Sequence, residues 1–322
     1  WGLGLCYIVA IAVIWSAASV LVQYVLVDRS FSPFVLTYIC NSLFIVCFPV
    51  YFGSVYCGWA RNPSLRETGA SDDGAPLVDG DNGDMLGRIP APTPKPLLSH
   101  SRTARLALMM APLWFIAQYG YNGSLALTSV TSSTIIGSTS SLFTLVFSWI
   151  CIAERLTPCK VAGVALCLAG SVVVALGDHH VATGAATLSA SAYGGYTTLL
   201  RAGAAPDRET AMGLLLGYLG LFLVVALAPA AIAVLVLSPE TRVALTPRVL
   251  GLVVVKGLFD NVLSDFLWAR AVVLTSPVVA TVGLSLTIPM AFVTDFVLRG
   301  AWPRIGQLAG AAAVIGGFLA VN

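Results

Sequence analysis

The sequence predicts an all-α membrane protein with ten transmembrane helices in two inverted five-helix repeats. Three observations carry that prediction. Of 322 residues, 57% are hydrophobic and only 10% are Asp, Glu, Lys or Arg, whereas soluble domains carry about 25% charged residues. Mean hydropathy is +0.88. A water-soluble globule could neither hide this much apolar surface nor coat itself with so few charges. The second observation is a succession of apolar runs near the roughly 20 residues that a helix needs to cross a bilayer. The third is self-similarity at a constant offset. Composition excludes an ordinary soluble enzyme, a disordered chain and a basic nucleic-acid binder. The net charge of +2 is too small to gather polyanions, so no nucleic-acid partner is expected.

The apolar runs cover 3–25, 33–57, 105–127, 131–152, 159–177, 181–200, 211–236, 249–274, 278–298 and 304–321. They are long and continuous, without the alternation of a transmembrane barrel. The run 181–200 is rich in Ala, Gly, Ser and Thr, so it should lie buried among other helices. Ser32-Pro33, Thr157-Pro158 and Ser276-Pro277 each set a hydroxyl N-cap before a proline at the first helical position. Pro49, Pro112, Pro229 and Pro289 fall inside runs and should kink them. Of these, Pro289 sits mid-span and is the candidate for a hinge or a break near a pathway. Residues 58–104 hold Gly, Pro, Asp and Ser without apolar periodicity and read as a flexible cytosolic linker.

Lys and Arg set the orientation. With both termini in the cytosol, eleven of the 17 fall on the cytosolic side, five opposite, and Lys256 within a span. The linker supplies five of the eleven. The first run is too long for a signal peptide and lacks a cleavage site. The chain begins at Trp1, and a preceding natural stretch is expected. The seven cysteines fall mostly in apolar runs, with no CxxC or Cys/His metal spacing. No metal or other cofactor is expected. No Walker A run is present, so direct ATP drive is not expected.

An offset of 147 lays Leu127-Thr128-Ser129 on Leu274-Thr275-Ser276, Thr134 on Thr281, Ser138 on Ser285, Gly163 on Gly310 and Gly170 on Gly317. The chain therefore divides into 1–177 and 178–322, five spans each. An odd number of spans inverts the second copy. Inverted repeats build many secondary transporters, with the substrate near the midplane where the copies meet.

The stretch Leu125 to Val130, then Ser138 to Phe143 and Glu154-Arg155-Leu156-Thr157, resembles the EamA-type half of the drug/metabolite transporter superfamily. Leu263-Ser264-Asp265-Phe266-Leu267-Trp268 and the segment Leu274 to Pro289 resemble the F-type branch of solute carrier family 35, as does Ile14 to Tyr24. The resemblance spans nearly everything outside 58–104. It implies ten helices, two inverted repeats, alternating access, and an endomembrane location such as Golgi or vacuole, with the plasma membrane open. It supplies no substrate. Lys256 and Arg270 depart from the neutral residues expected there.

Charges inside a bilayer cost a few kcal/mol on insertion scales, and the eighth span holds Lys256, Asp260, Asp265 and Arg270. Lys256 and Asp260 are four apart and can neutralise each other on one helix face. Asp265 is five residues from both Asp260 and Arg270, and the offset sets it opposite Gln118. It either faces a pathway or serves a structural hydrogen bond. Ser138 and Ser285 belong to hydroxyl-rich spans that either pack closely and bond back to their own helices or wall a polar cargo. Tyr193, Tyr196 and Trp268 could stack on a planar ligand. The candidate substrate-binding set is Asp265, Gln118, Trp268, Tyr193, Tyr196, Ser138, Ser285 and Lys256. Asp295 reads as an interfacial pair with Arg299. Gly213-x-x-x-Gly217 and Gly306-x-x-x-Gly310 bring helices together, by default within the chain and alternatively in a homodimer.

The expected function is secondary transport of a small polar metabolite across the lipid bilayer. A thiamine-like cation would use Asp265, and an anionic nucleotide sugar would use Lys256 and Arg270. The alternative is a membrane binding or scaffold protein that moves nothing. No paired catalytic constellation is present, so an enzyme is not expected.

Overall fold

The computed structural model describes residues 2–28, 31–59, 98–137, 139–152, 158–175, 180–203, 211–265, 267, 287–300 and 302–321. These form helices α1 (Gly2–Gln23), α2 (Pro33–Ser42), α3 (Cys47–Tyr56), α4 (His100–Leu127), α5 (Val130–Gly137), α6 (Ser140–Ile152), α7 (Pro158–Ala175), α8 (His180–Gly203), α9 (Met212–Leu237), α10 (Pro239–Ala244), α11 (Pro247–Lys256), α12 (Thr287–Arg299) and α13 (Ile305–Val321). Among the described residues, four stretches are long and apolar enough to cross a membrane: Val9–Val27, Pro33–Tyr56, Val130–Cys151 and Met212–Leu237. Exposed Val225, Ile232 and Val236 on α9, Val172 on α7 and Ile150 on α6 give the bundle an apolar exterior, as lipid contact requires.

Local chemistry explains the breaks. The second run is not one α-helix. A 3₁₀ stretch, Leu43–Val46, separates α2 from α3. Pro49 offers no N–H to the carbonyl of Ile45, four residues back, and its ring crowds that oxygen. The winding tightens there. Pro112 and Pro229 lie within continuous α4 and α9. Pro289 lies near the start of the described part of α12. Its expected mid-span break falls on residues before 287, outside the described ones.

Two local expectations are corrected. Ser32 sits at the N-cap of α2 with extended backbone, but its side chain makes no capping bond. The proline at the first position removes one donor in any case. The linker also ends earlier than 104. Leu98 is buried, and α4 begins at His100. Thr103 Oγ1 donates to the Ser99 carbonyl at 3.0 Å, and His100 Nδ1 lies 3.4 Å from the Tyr218 hydroxyl on α9. Of the rest of that linker, residues 60–97 lie outside the described ones.

Small residues decide the packing. Across α9, Gly213 faces Tyr51 and Gly217 faces Phe48 of α3. A Cβ built on Gly217 would stand 2.7 Å from the Phe48 ring. The Gly213/Gly217 motif is therefore spent inside the chain. The other such motif, Gly306/Gly310, faces α7: Gly306 meets Val173, and Gly310 meets Gly170. Leu166 meets Gly316 farther along. Residue numbers rise on α7 as they fall on α13, so the two helices pack antiparallel. The small-residue run of α8 lies against α4 and α6. Gly120 abuts Ala185 and Ser189, and Gly194 abuts Phe143 and Thr144.

Candidate functional site

The eighth run enters as α11 and then changes winding. Gly257–Leu263 is a π-helix, a form that occurs mostly as short insertions and frequently at functional sites. Its i→i+5 bonding brings the fifth residue onward beneath Lys256, next to the fourth. Lys256 Nζ accordingly reaches Asp260 Oδ2 at 2.8 Å and Asn261 Oδ1 at 3.5 Å. The lysine side chain is 4% exposed and the aspartate 17%. Both charges are thus largely removed from solvent, and each supplies the partner the other needs.

From this ion pair a chain of amides and aromatics crosses the bundle. Asn261 Nδ2 donates to Asn41 Oδ1 at 3.0 Å. Trp114 Nε1 donates to the same oxygen at 3.1 Å. The Trp114 ring meets Tyr196 edge-on with centroids 4.7 Å apart, and Tyr193 lies 4.8 Å from Tyr196. Asp265 comes within electrostatic reach of Tyr193, Tyr196, Cys47 and Asp260. Ser264, buried beside Asp265, accepts from Trp15 Nε1 at 3.1 Å and donates to the Asp260 carbonyl. Elements α1, α2, α4, α8 and the π-helix thus meet in one polar and aromatic layer.

Two polar atoms in the layer have no hydrogen-bond partner among the described residues. Asn41 Nδ2 is a donor, and Asp265 Oδ2 is an acceptor. Both are buried. A buried unsatisfied group costs about 1–3 kcal/mol, so such atoms call for a reason.

Of the sequence candidates, Lys256, Asp265, Tyr193 and Tyr196 are brought together here. Gln118 is not part of the network. It is half-buried on α4 and makes no side-chain hydrogen bond among the described residues. Trp268, Ser138 and Ser285 lie outside the described residues, as does Arg270. Neighbouring hydroxyls in the fourth run bond locally: Thr139 Oγ1 donates to the Ile136 carbonyl, and Thr144 Oγ1 to that of Ser140. Asn41, Trp114 and Asn261 were missed. Asn41 is the single side-chain amide in the second run, and Asn261 directly follows Asp260; either was a visible signal.

A cavity of about 420 Å³ opens elsewhere, at the end of the bundle opposite the chain termini. Its wall includes Gln23, Thr131, Phe292, Asp295, Trp302 and Arg304. Gln23 Nε2 donates to the carbonyls of Leu125 and Thr128, tying α1 to the end of α4. Asp295 differs from expectation. It is 6% exposed, and its Oδ2 accepts the backbone N–H of Thr131 at 2.9 Å. The carboxylate caps the start of α5, where unpaired N–H groups and the helix dipole favour negative charge. No described candidate of the substrate set lines this cavity.

Known proteins agree with this architecture. Residues 86–176 match the EamA-like transporter family. The chain is 31% identical to an uncharacterized vacuolar membrane protein of Saccharomyces cerevisiae, over 100% of this chain and 90% of that protein. It is 31% identical to an uncharacterized transporter of Schizosaccharomyces pombe, over 99% and 95%. A thiamine-repressible mitochondrial transport protein of S. cerevisiae is 28% identical over 99% and 91%. Solute carrier family 35 member F5 of Bos taurus is 28% identical over 63% of this chain and 40% of its own length. A crystal structure 15% identical in sequence superposes with a TM-score of 0.59 over 98% of this chain and 95% of that one, which shows a shared fold. Three of these relatives carry transporter, transport-protein or solute-carrier names. With its apolar helices, full-length similarity to these proteins and matching family segment, the chain belongs to the EamA-like transporter family and is similar to the F-type members of solute carrier family 35.

Proposed function

We propose that the chain is a secondary transporter that moves a small polar metabolite by alternating access, and that the layer around Lys256, Asp260, Asn41 and Asp265 holds the substrate. The observation that carries this is the coincidence of a buried ion pair with an unspent donor on Asn41 and an unspent acceptor on Asp265. Intramembrane ionisable groups are costly and as a rule serve pathways. In this reading 1–177 and 178–322 are the two repeats, both termini are cytosolic, and rocking of one repeat against the other exposes the layer to each side in turn. Antiparallel packing of α7 on α13 supports it. The offset of 147 carries Gly170 onto Gly317 and Gly310 back onto Gly163, as a two-fold axis in the membrane plane would.

The geometry favours a cationic over an anionic cargo. The Lys256 ammonium is committed to Asp260, whereas Asp265 Oδ2 has no hydrogen-bond partner among the described residues. The yeast relative's name speaks of repression by thiamine, which is compatible with such a cargo without naming it. The test is exchange by protein reconstituted in liposomes against a pooled metabolite extract. Wild type should exchange at least one cation, and Asp265→Asn should abolish this at unchanged reconstitution yield. Unchanged exchange by Asp265→Asn removes that residue from the mechanism. Loss confined to Lys256→Ala, with an anion moved, supports a nucleotide-sugar-like cargo. No protein-dependent exchange of any pool component favours the binding or scaffold reading.

A further inference from the structure

The cavity at the end of the bundle opposite the termini carries its own chemistry. Asp295 lies on its wall, 6% exposed. One carboxylate oxygen is occupied by the Thr131 N–H, and the other, Oδ1, has no partner among the described residues. Thr131, 2% exposed and also on the wall, leaves its Oγ1 without a partner as well. Two buried oxygens of wall residues thus have no partner among the described residues, beside a space of about 420 Å³, within the range typical of small-molecule pockets. The apolar side is aromatic: Phe292 and Trp302 line it, and the indole of Trp302 packs on Phe296 with centroids 4.7 Å apart.

We infer that this cavity binds an organic ammonium ion. Its N–H groups donate to Asp295 Oδ1 and Thr131 Oγ1, and its apolar body lies against Phe292 and Trp302. A carboxylate with aromatic faces is the combination that recognises alkylammonium groups, through charge-assisted hydrogen bonds and cation–π attraction. A bare metal ion fits less well. Among the described residues Asp295 is the single carboxylate on the wall, and they hold no cluster of three or more His, Cys, Asp or Glu. The other charged wall residue, Arg304, is exposed. Its backbone N–H donates to Gln307 Oε1, whose Nε2 in turn donates to Ser132 Oγ. This site is separate from the substrate layer, and its occupancy does not depend on transport.

The test is calorimetric titration of the purified full chain in lipid nanodiscs with phenethylammonium. 3-Phenylpropionate, of similar shape and opposite charge, serves as the control. Wild type should bind the ammonium saturably and the carboxylate not at all. Asp295→Asn keeps an oxygen for the Thr131 N–H and should weaken binding about tenfold or more. Trp302→Ala, at an exposed side chain, should weaken it about fivefold. Asp265→Asn should leave it unchanged, which separates this site from the proposed substrate layer. Equal binding of the carboxylate, unchanged affinity in Asp295→Asn, loss of binding in Asp265→Asn, competition by sodium alone, or no saturable binding by wild type would each overturn the inference.

Discussion

Gly170 stands directly against the carbonyl oxygen of Gly310. A Cβ built on it would come to 2.7 Å from that oxygen and 2.9 Å from the Ala313 Cβ. The backbones of α7 and α13 touch because neither has a side chain at the crossing. Without a hydrophobic effect between helices in lipid, this close approach is the main source of their attraction. Gly170→Val should therefore cost about 1–3 kcal/mol. A fall in thermal midpoint in detergent, with early aggregation, would register it. Gly184 on α8 has nothing within 4 Å of an added Cβ, so Gly184→Ala is the control and should be neutral or slightly stabilising.

Lys256 and Asp260 form the most costly pair in the layer. Removing one partner strands the other charge. Lys256→Met alone should destabilise by about 3 kcal/mol. The double variant Lys256→Met/Asp260→Leu should recover most of that loss, because neither charge then remains buried. Unfolding midpoints of the four proteins give the coupling directly. Transport by the double variant separates roles: a pair used only for neutralisation leaves exchange intact, whereas a pair that contacts cargo does not.

Asn41 accepts from two side chains at once. Asn41→Leu is close in volume but leaves Trp114 Nε1 and Asn261 Nδ2 without an acceptor. The cost should be about 1–3 kcal/mol per stranded donor. Asn41→Asp keeps the acceptor and should retain more stability than Asn41→Leu. Equal midpoints for Asn41→Leu and wild type would show that the hydrogen-bond chain contributes nothing to stability.

Gln23 closes the far end of the bundle, bonding two carbonyls at the end of α4. Gln23→Leu should speed amide exchange at residues 125–131 with little effect on α9, which Gln23 does not touch. Hydrogen exchange read by mass spectrometry on the two peptides would check the contrast.

Much of this was legible in residue patterns, and the reasons differ by element. Long apolar runs located the helices because a bilayer demands length and hydrophobicity together. The Lys256–Asp260 pair was visible from a spacing of four. Asn261 was not visible as a partner of Lys256, because a spacing of five is off-face in an α-helix and becomes on-face through π winding. Asn41 and Trp114 pair across 73 positions, and no local pattern encodes a contact at that range. The bond from the Thr131 N–H to Asp295 spans 164 residues and had no local signal; the side chain of Arg299, four residues on, lies outside the described ones.

The winding at Gly257–Leu263 has one further effect. Ser264 and Asp265, just beyond it, are turned relative to where an unbroken α-helix would put them. Excising a single residue there, Val262 for example, would restore regular winding. It would swing Asn261 away from the ammonium and rotate Ser264 and Asp265 off their neighbours together. One surplus residue thus acts as the pin that aligns Ser264 and Asp265 with the Lys256 end of this span.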